Sequence, residues 1–135
     1  MKVWHYSTME FIDGIFESGE LRPTNTAGFY AAPLLWFSAD QAWEAMAATL
    51  FGRKRSDCDA IRFGLDCDDH RLMYWLDTCA LAKRSRQDRR HAEKIASKRG
   101  SNPAQWYATT ESIAIDTLDF QLWRNGRWGY GDDLN

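Results

Sequence analysis

The chain has 135 residues, of which 44% are hydrophobic and 14% aromatic, including seven tryptophans, and its formal net charge is −2. That length suits one domain with room for a real core, and the apolar content excludes a disordered tail. Cys58, Cys67 and Cys79 form an odd set at unrelated spacings, the N-terminus lacks the apolar core of a signal peptide, and no run approaches about 18 apolar residues. A single cytoplasmic domain over residues 1–135, without disulfides or a membrane span, is therefore expected.

Residues 2–6 alternate, are rich in β-formers and predict a short opening strand. Ser7 and Glu10 have the spacing of a capping box, after which Met9, Ile12, Ile15 and Phe16 recur at helical intervals up to Gly19. Residues 24–28 read as loop. The apolar run 32–37, with Pro33 near its start, predicts a buried strand. Ser38 and Gln41 repeat the capping-box spacing and predict a helix carrying Trp43, Met46, Ala47 and Leu50 on one face.

Residues 60–66 place Ile61, Phe63 and Leu65 on one side of a half-buried strand. Asp68 and Asp69 predict the start of a helix in which Leu72, Trp75, Leu76 and Cys79 share a face. A break near Ser85 leads into a basic helix ending near Gly100, and Asn102-Pro103 punctuates it. Residues 105–110 and 113–115 are β-prone. Residues 118–130 read as a hairpin turning at Asn125-Gly126 in a type I′ turn, and 131–135 as a frayed end.

Charge is unevenly spread along this order. Lys83 to Arg99 carries eight basic and two acidic side chains, leaving the remainder at −8. Such a segment is either a solvated helix face or a contact for an anionic partner, a protein or a nucleic acid.

Three stretches taken together carry a resemblance. They are Trp4-His5-Tyr6-Ser7, then Gly19-Glu20-Leu21-Arg22-Pro23 after a short helix, then Leu35-Trp36-Phe37-Ser38. In that order they resemble the N-terminal part of ADP-ribosyltransferase-like proteins, a group that includes DNA-targeting toxins of toxin–antitoxin pairs, RNA 2′-phosphotransferases and small bacterial and phage proteins. The resemblance implies an α+β fold, with an ADP-ribosyltransferase-like split β-sheet core and short flanking helices, and it implies NAD as cofactor. His5 then meets the nicotinamide ribose, backbone groups beside it such as those of Tyr6 meet the carboxamide, and Trp36 or Phe37 walls the ring. Ser38 lines the crevice, Arg22 reaches the pyrophosphate and Tyr30 covers the site.

Transfer of ADP-ribose passes through an oxocarbenium-like state that a carboxylate stabilises. The family supplies it from a late strand, here within Asn102 to Ile113. One alignment puts Gln105 in that place, which implies a weakened transferase that binds a nucleotide without turnover. The other puts Glu111 there and is preferred, since Glu111 is the only glutamate in the region.

Several of these residues also have plain structural roles. Ser38 caps a helix, Trp36 and Phe37 are core, Arg22 is a loop residue and Glu111 lies in an exposed turn. Cys58, Cys67, His70 and Cys79 lack the tight pair of a structural zinc site, and no phosphate loop, dinucleotide fingerprint or nucleophile elbow is present. Two expectations of different kinds follow. One is an NAD-dependent transferase acting on a protein or nucleic acid; the other is a non-enzymatic phage or mobile-element interaction protein on the same scaffold. A binder of nucleic acid led by the basic helix is a third.

Overall fold

β-Branched and aromatic residues at alternating positions drive the chain into strands that pair almost wholly with sequence-distant partners. The structure, a computed structural model, describes residues 1–24, 33–46 and 60–130. Seven antiparallel strands form one sheet in the order β5-β6-β3-β1-β4-β8-β9. They are β1 (Lys2–Thr8), β3 (Leu35–Ser38), β4 (Ala60–Asp66), β5 (Met73–Tyr74), β6 (Trp106–Thr109), β8 (Asp119–Arg124) and β9 (Arg127–Gly129). A second sheet pairs β2 (Glu20–Leu21) with β7 (Ile113–Ala114). Three α-helices have both ends among the described residues: α1 (Ile12–Ser18), α2 (Trp75–Leu81) and α3 (Arg86–Lys98). The expected mixed α+β class is therefore seen. None of the described helices is long and apolar enough to cross a membrane.

The two faces of the main sheet differ in chemistry. One carries Val3, Leu35, Phe37, Ile61, Phe63, Leu65 and Leu122, and packs against Leu21 and Ile113 of the small sheet and Ile12 and Ile15 of α1. Burying each such side chain contributes about 2 kcal/mol. The opposite face holds Trp4, Trp36, Trp106 and Trp123 by strand alternation. Trp75 packs on Trp36 and Trp106, Trp43 on Tyr6, and Trp128 on both Tyr6 and Trp123. All seven tryptophans thus gather on one side, brought there by the strand order and not by any local pattern.

Several local expectations are corrected. Strand β1 runs to Thr8, so Ser7 is a buried strand residue and not a cap; Thr8 donates to the Glu10 carboxylate instead. Ser38 ends β3 and caps no helix, because its hydroxyl donates to Glu44 while accepting from the Asp40 amide. Asp69 does not start a helix. Its carboxylate holds the Arg71 backbone and guanidinium, a turn forms, and the chain enters β5 before α2 begins at Trp75. Gln105 and Ile115 lie in short 3-10 turns beside β6 and β7.

Other expectations hold. Helix α1 closes at Gly19, whose N–H donates to the Ile15 carbonyl. Ser85 caps α3 by accepting from the Asp88 amide. Arg124 faces Arg127 across a turn in which Asn125 and Gly126 have φ of 55° and 75°, the left-handed pair that a type I′ turn requires. Residues 25–32, 47–59 and 131–135, and with them Tyr30, Cys58, Ala47, Leu50 and the expected frayed end, lie outside the described residues.

Candidate functional site

His5 lies on central strand β1, between β3 and β4. Its side chain is on the apolar face, opposite Phe63, with the Phe37 ring 5.9 Å away. Phe37 in turn faces Tyr107, Tyr107 faces Tyr74, and Phe63 faces Phe120. His5 is thus the one imidazole in a row of aromatic rings running across six strands.

The pairing beside His5 is uneven. Strand β1 is in register with β4 over seven pairs, but with β3 only at Trp4 and Ser38. Beyond that pair the His5 imidazole fills the place of a ladder contact, its Nδ1 lying 2.8 Å from the Trp36 carbonyl oxygen. A carbonyl only accepts, so Nδ1 carries the proton. Burial pushes the His5 pKa below its ordinary value, against the opposing effect of that hydrogen bond. The ring is therefore neutral and leaves Nε2 as an acceptor.

Past His5 the β3 edge runs to Leu34, which bridges Thr24, and to Leu35, which faces Thr109 of β6. Glu111 follows two residues later, exposed, with its amide donating to the Thr109 hydroxyl. Its charge adds to the rise of the Arg71 pKa, which comes first from Asp69. Gln105 sits at the other, closed end, where its carbonyl accepts from the Ala39 amide at 2.8 Å. The structure thus puts Glu111 beyond the Leu35 end of β3 and Gln105 beyond its Ser38 end. It does not set either residue across from His5, because Tyr107 occupies that row on β6.

The remaining expected site residues divide between the two faces. Phe37 is 2% exposed and Ser38 1%, so both are core. Trp36 is half-buried on the tryptophan face, against Trp75 and Trp106, and cannot wall a ring held by the His5 side chain. Tyr6 points to the same face, where its hydroxyl donates to the Asp40 carbonyl. Burial pushes that phenol up to about 12. Arg22 is exposed and paired with Glu20 at 2.8 Å.

The tryptophan face holds polar groups that the sequence reading did not single out. Glu44, 9% exposed, accepts from Ser38 and Trp106 on Oε1 and from the Met46 amide and Ser101 on Oε2. Arg62, 7% exposed, spreads its guanidinium 3.9 Å over Trp4 and 4.5 Å over Trp128, and donates to Gln121, the Gln41 carbonyl and Tyr6. Trp4 and Trp128 donate in turn to the Gln41 side chain and the Ala42 carbonyl. Side chains of β1, β3, β4, β6 and β9 thereby pin residues 40–44 across the sheet. The only local signal was an acid, Glu44, interrupting an apolar run, and an arginine, Arg62, on a strand that is otherwise buried.

Among the described residues no three metal-ligating side chains gather, and Cys67 and Cys79 are free thiols. Comparison of the chain with protein-family models, with curated proteins and with solved structures finds no significant match.

Proposed function

We propose that the chain binds NAD at the opening between β1 and β3 and is an ADP-ribosyltransferase-like protein with a split-sheet core. The observation that carries this reading is the end of the β1–β3 ladder at Trp4–Ser38, with a neutral His5 standing in the gap. An Nε2 lone pair beside a β1–β3 ladder that is in register only at Trp4 and Ser38 suits a ligand offering a sugar hydroxyl and a carboxamide. NAD offers both. When bound it supplies an ADP-ribosyl group whose bond to nicotinamide is weak. The role of this chain is to hold the ribose at His5, keep the amide on the backbone edge and bring a carboxylate toward the developing positive charge. Glu111 is the candidate for that carboxylate, since it follows the strand end nearest the gap. Phe37, being buried, supports His5 from beneath and does not stack on the ligand.

A second reading on the same scaffold is favoured by one feature. Trp106, Tyr107, Ala108 and Thr109, the β6 residues paired with β3, include no acid. On that basis the protein holds the nucleotide, or an ADP-ribosylated partner, without turning it over, as an interaction protein of bacterial or phage origin would.

Titration with NAD by calorimetry, combined with assay of nicotinamide release, separates the readings. The transferase reading expects binding that His5→Ala weakens and release that Glu111→Gln abolishes with binding retained. Binding without release in the wild-type protein supports the second reading. Absence of binding removes both.

A further inference from the structure

Helix α3 places its charges in a way that its composition alone does not reveal. Arg86, Arg90, Lys94 and Lys98 recur at intervals of four, and all are exposed. At about 100° and 1.5 Å per residue they fall within an arc of about 120° and span about 18 Å of helix. Ala96 is buried on the side turned away from them. The segment's two acids, Asp88 and Glu93, fall outside the arc on either flank. Glu93 is engaged inward, accepting from the Trp75 indole and pairing with Arg89. Among the described residues none of the four cations has an ion-pair partner.

The turn before the helix adds a further cation. Lys83 is exposed with φ of 54°, a left-handed conformation that glycine or asparagine adopts at lower cost. A cation thus occupies a position whose backbone favours a smaller residue. Beyond the last turn, Arg99 is also exposed.

We propose that this face of α3 is a docking surface for the phosphate backbone of a nucleic-acid strand. Four regularly spaced cations along about 18 Å match a polymer that presents about one phosphate per 3.4 Å of strand. Two of the four are arginines, whose planar guanidinium suits phosphate oxygens. A protein partner would be expected to find an apolar anchor at the centre of the surface, yet Ile95 is the only large apolar residue that α3 exposes. A membrane-surface helix would need its apolar face free. Here Ala96, on the side turned away from the stripe, is buried, and Glu93, at the stripe's flank, is held inside by the Trp75 indole. The proposal goes beyond the NAD reading and does not depend on it.

The test measures fluorescence anisotropy of a labelled single-stranded oligonucleotide against the full chain. Four phosphate contacts predict a log–log salt slope of about −3, which is an affinity loss of about 50-fold between roughly 50 and 200 mM salt. Replacing Arg86, Arg90, Lys94 and Lys98 together by Gln should lower affinity at least about tenfold at the lower salt and flatten the slope. Gln keeps helix propensity, and circular dichroism checks the fold. Lys94→Gln alone should shift the slope by about 0.7, which keeps the test valid if the quadruple variant misfolds. Arg124→Gln, exposed at the far hairpin, should leave binding unchanged. Wild-type-like binding by the stripe variants overturns the proposal. So does a wild-type protein that ignores the oligonucleotide but binds phosphatidylserine vesicles. NAD titration of the quadruple variant reports on the other site separately.

Discussion

The His5 imidazole donates from Nδ1 to the Trp36 carbonyl at 2.8 Å, immediately beyond the last paired residues of β1 and β3. The contact fixes the tautomer, and burial holds the pKa below the ordinary value of 6.5. An unfolded chain therefore takes up a proton at His5 before the folded one does as pH falls. Stability rises with pH wherever the unfolded state holds more protons, so it should decline as pH drops through about 6.5. Asp69 does not confuse this window. Its pKa is held down to about 2 by Arg71, so its contribution is lost only on acidification below its ordinary 3.8. Thermal unfolding between pH 7.5 and 5 should show a smaller decline for His5→Gln than for wild type. Equal declines would mean that His5 is not the titrating group.

Glu44 gathers four donors from three separate parts of the chain. The serine hydroxyls can turn to accept, but the Trp106 indole and the Met46 amide can only donate. Glu44→Gln puts an N–H where one carboxylate oxygen was, and should cost about 2 kcal/mol. Glu44→Ala removes an acceptor from all four donors, leaving Trp106 only its contact to the Ser101 hydroxyl, and should cost more, about 3 kcal/mol. Urea unfolding followed by tryptophan fluorescence reads both values, and a loss within about 0.5 kcal/mol for the alanine variant would mean that water replaces the carboxylate freely.

Elements whose signal is local were legible in the sequence, and those decided by distant partners were not. The alternation of Ile61, Phe63 and Leu65 gives β4, Asn125-Gly126 gives the hairpin and Ser85 gives the start of α3. Ser7 and Ser38 have equally good cap spacing, yet the first is held in a strand paired along its whole length with β4. The second is drawn to Glu44, six residues on, in a network that also takes in Ser101, fifty-seven residues from Glu44. The candidate site residues were legible only as an ordered set. Its division between two faces was not, because placing His5 with Phe37 and Trp36 with Trp75 requires the strand order. The placing of Glu111 and Gln105 at opposite ends of β3 is likewise visible only from the strand pairing.

Cys79 is buried in α2, and desolvation pushes its thiol up to about 11. Only about one molecule in a thousand then carries the thiolate at pH 8, so the folded protein should react slowly there with a disulfide reagent. Mass spectrometry of the labelled peptides should find Cys79 modified at an ordinary rate only after urea unfolding. Rapid native-state labelling would mean that α2 opens locally at low cost.

Gly64 faces Trp4 across the β1–β4 pair, and a Cβ built there would lie 2.6 Å from the indole. The ring cannot simply lift away, because the Arg62 guanidinium stacks 3.9 Å from its centroid. Gly64→Ala should therefore cost about 2 kcal/mol, as overpacking does in a filled core.

Arg62 makes the complementary case, since it is a buried cation whose hydrogen bonds all go to neutral acceptors, namely Gln121, Tyr6 and the Gln41 carbonyl. Burial pulls its pKa down while Tyr6 opposes that shift, yet an arginine remains charged at any pH where the protein is folded. Its stability therefore comes from the fork of N–H groups and from the two indole faces, not from an ion pair. Arg62→Lys keeps the charge but loses the fork and the flat stack, and should cost about 3 kcal/mol. Arg62→Met removes the charge and keeps some of the stack over Trp4 and Trp128, while leaving Gln121 and the Gln41 carbonyl to be satisfied by water. If charge burial dominates, the methionine variant is the more stable of the two; if the hydrogen-bonded fork dominates, both fall by a similar amount. The fork should dominate, because it is what ties residues 40–44 to β4 and β8, and chemical denaturation of the two variants side by side decides between these outcomes.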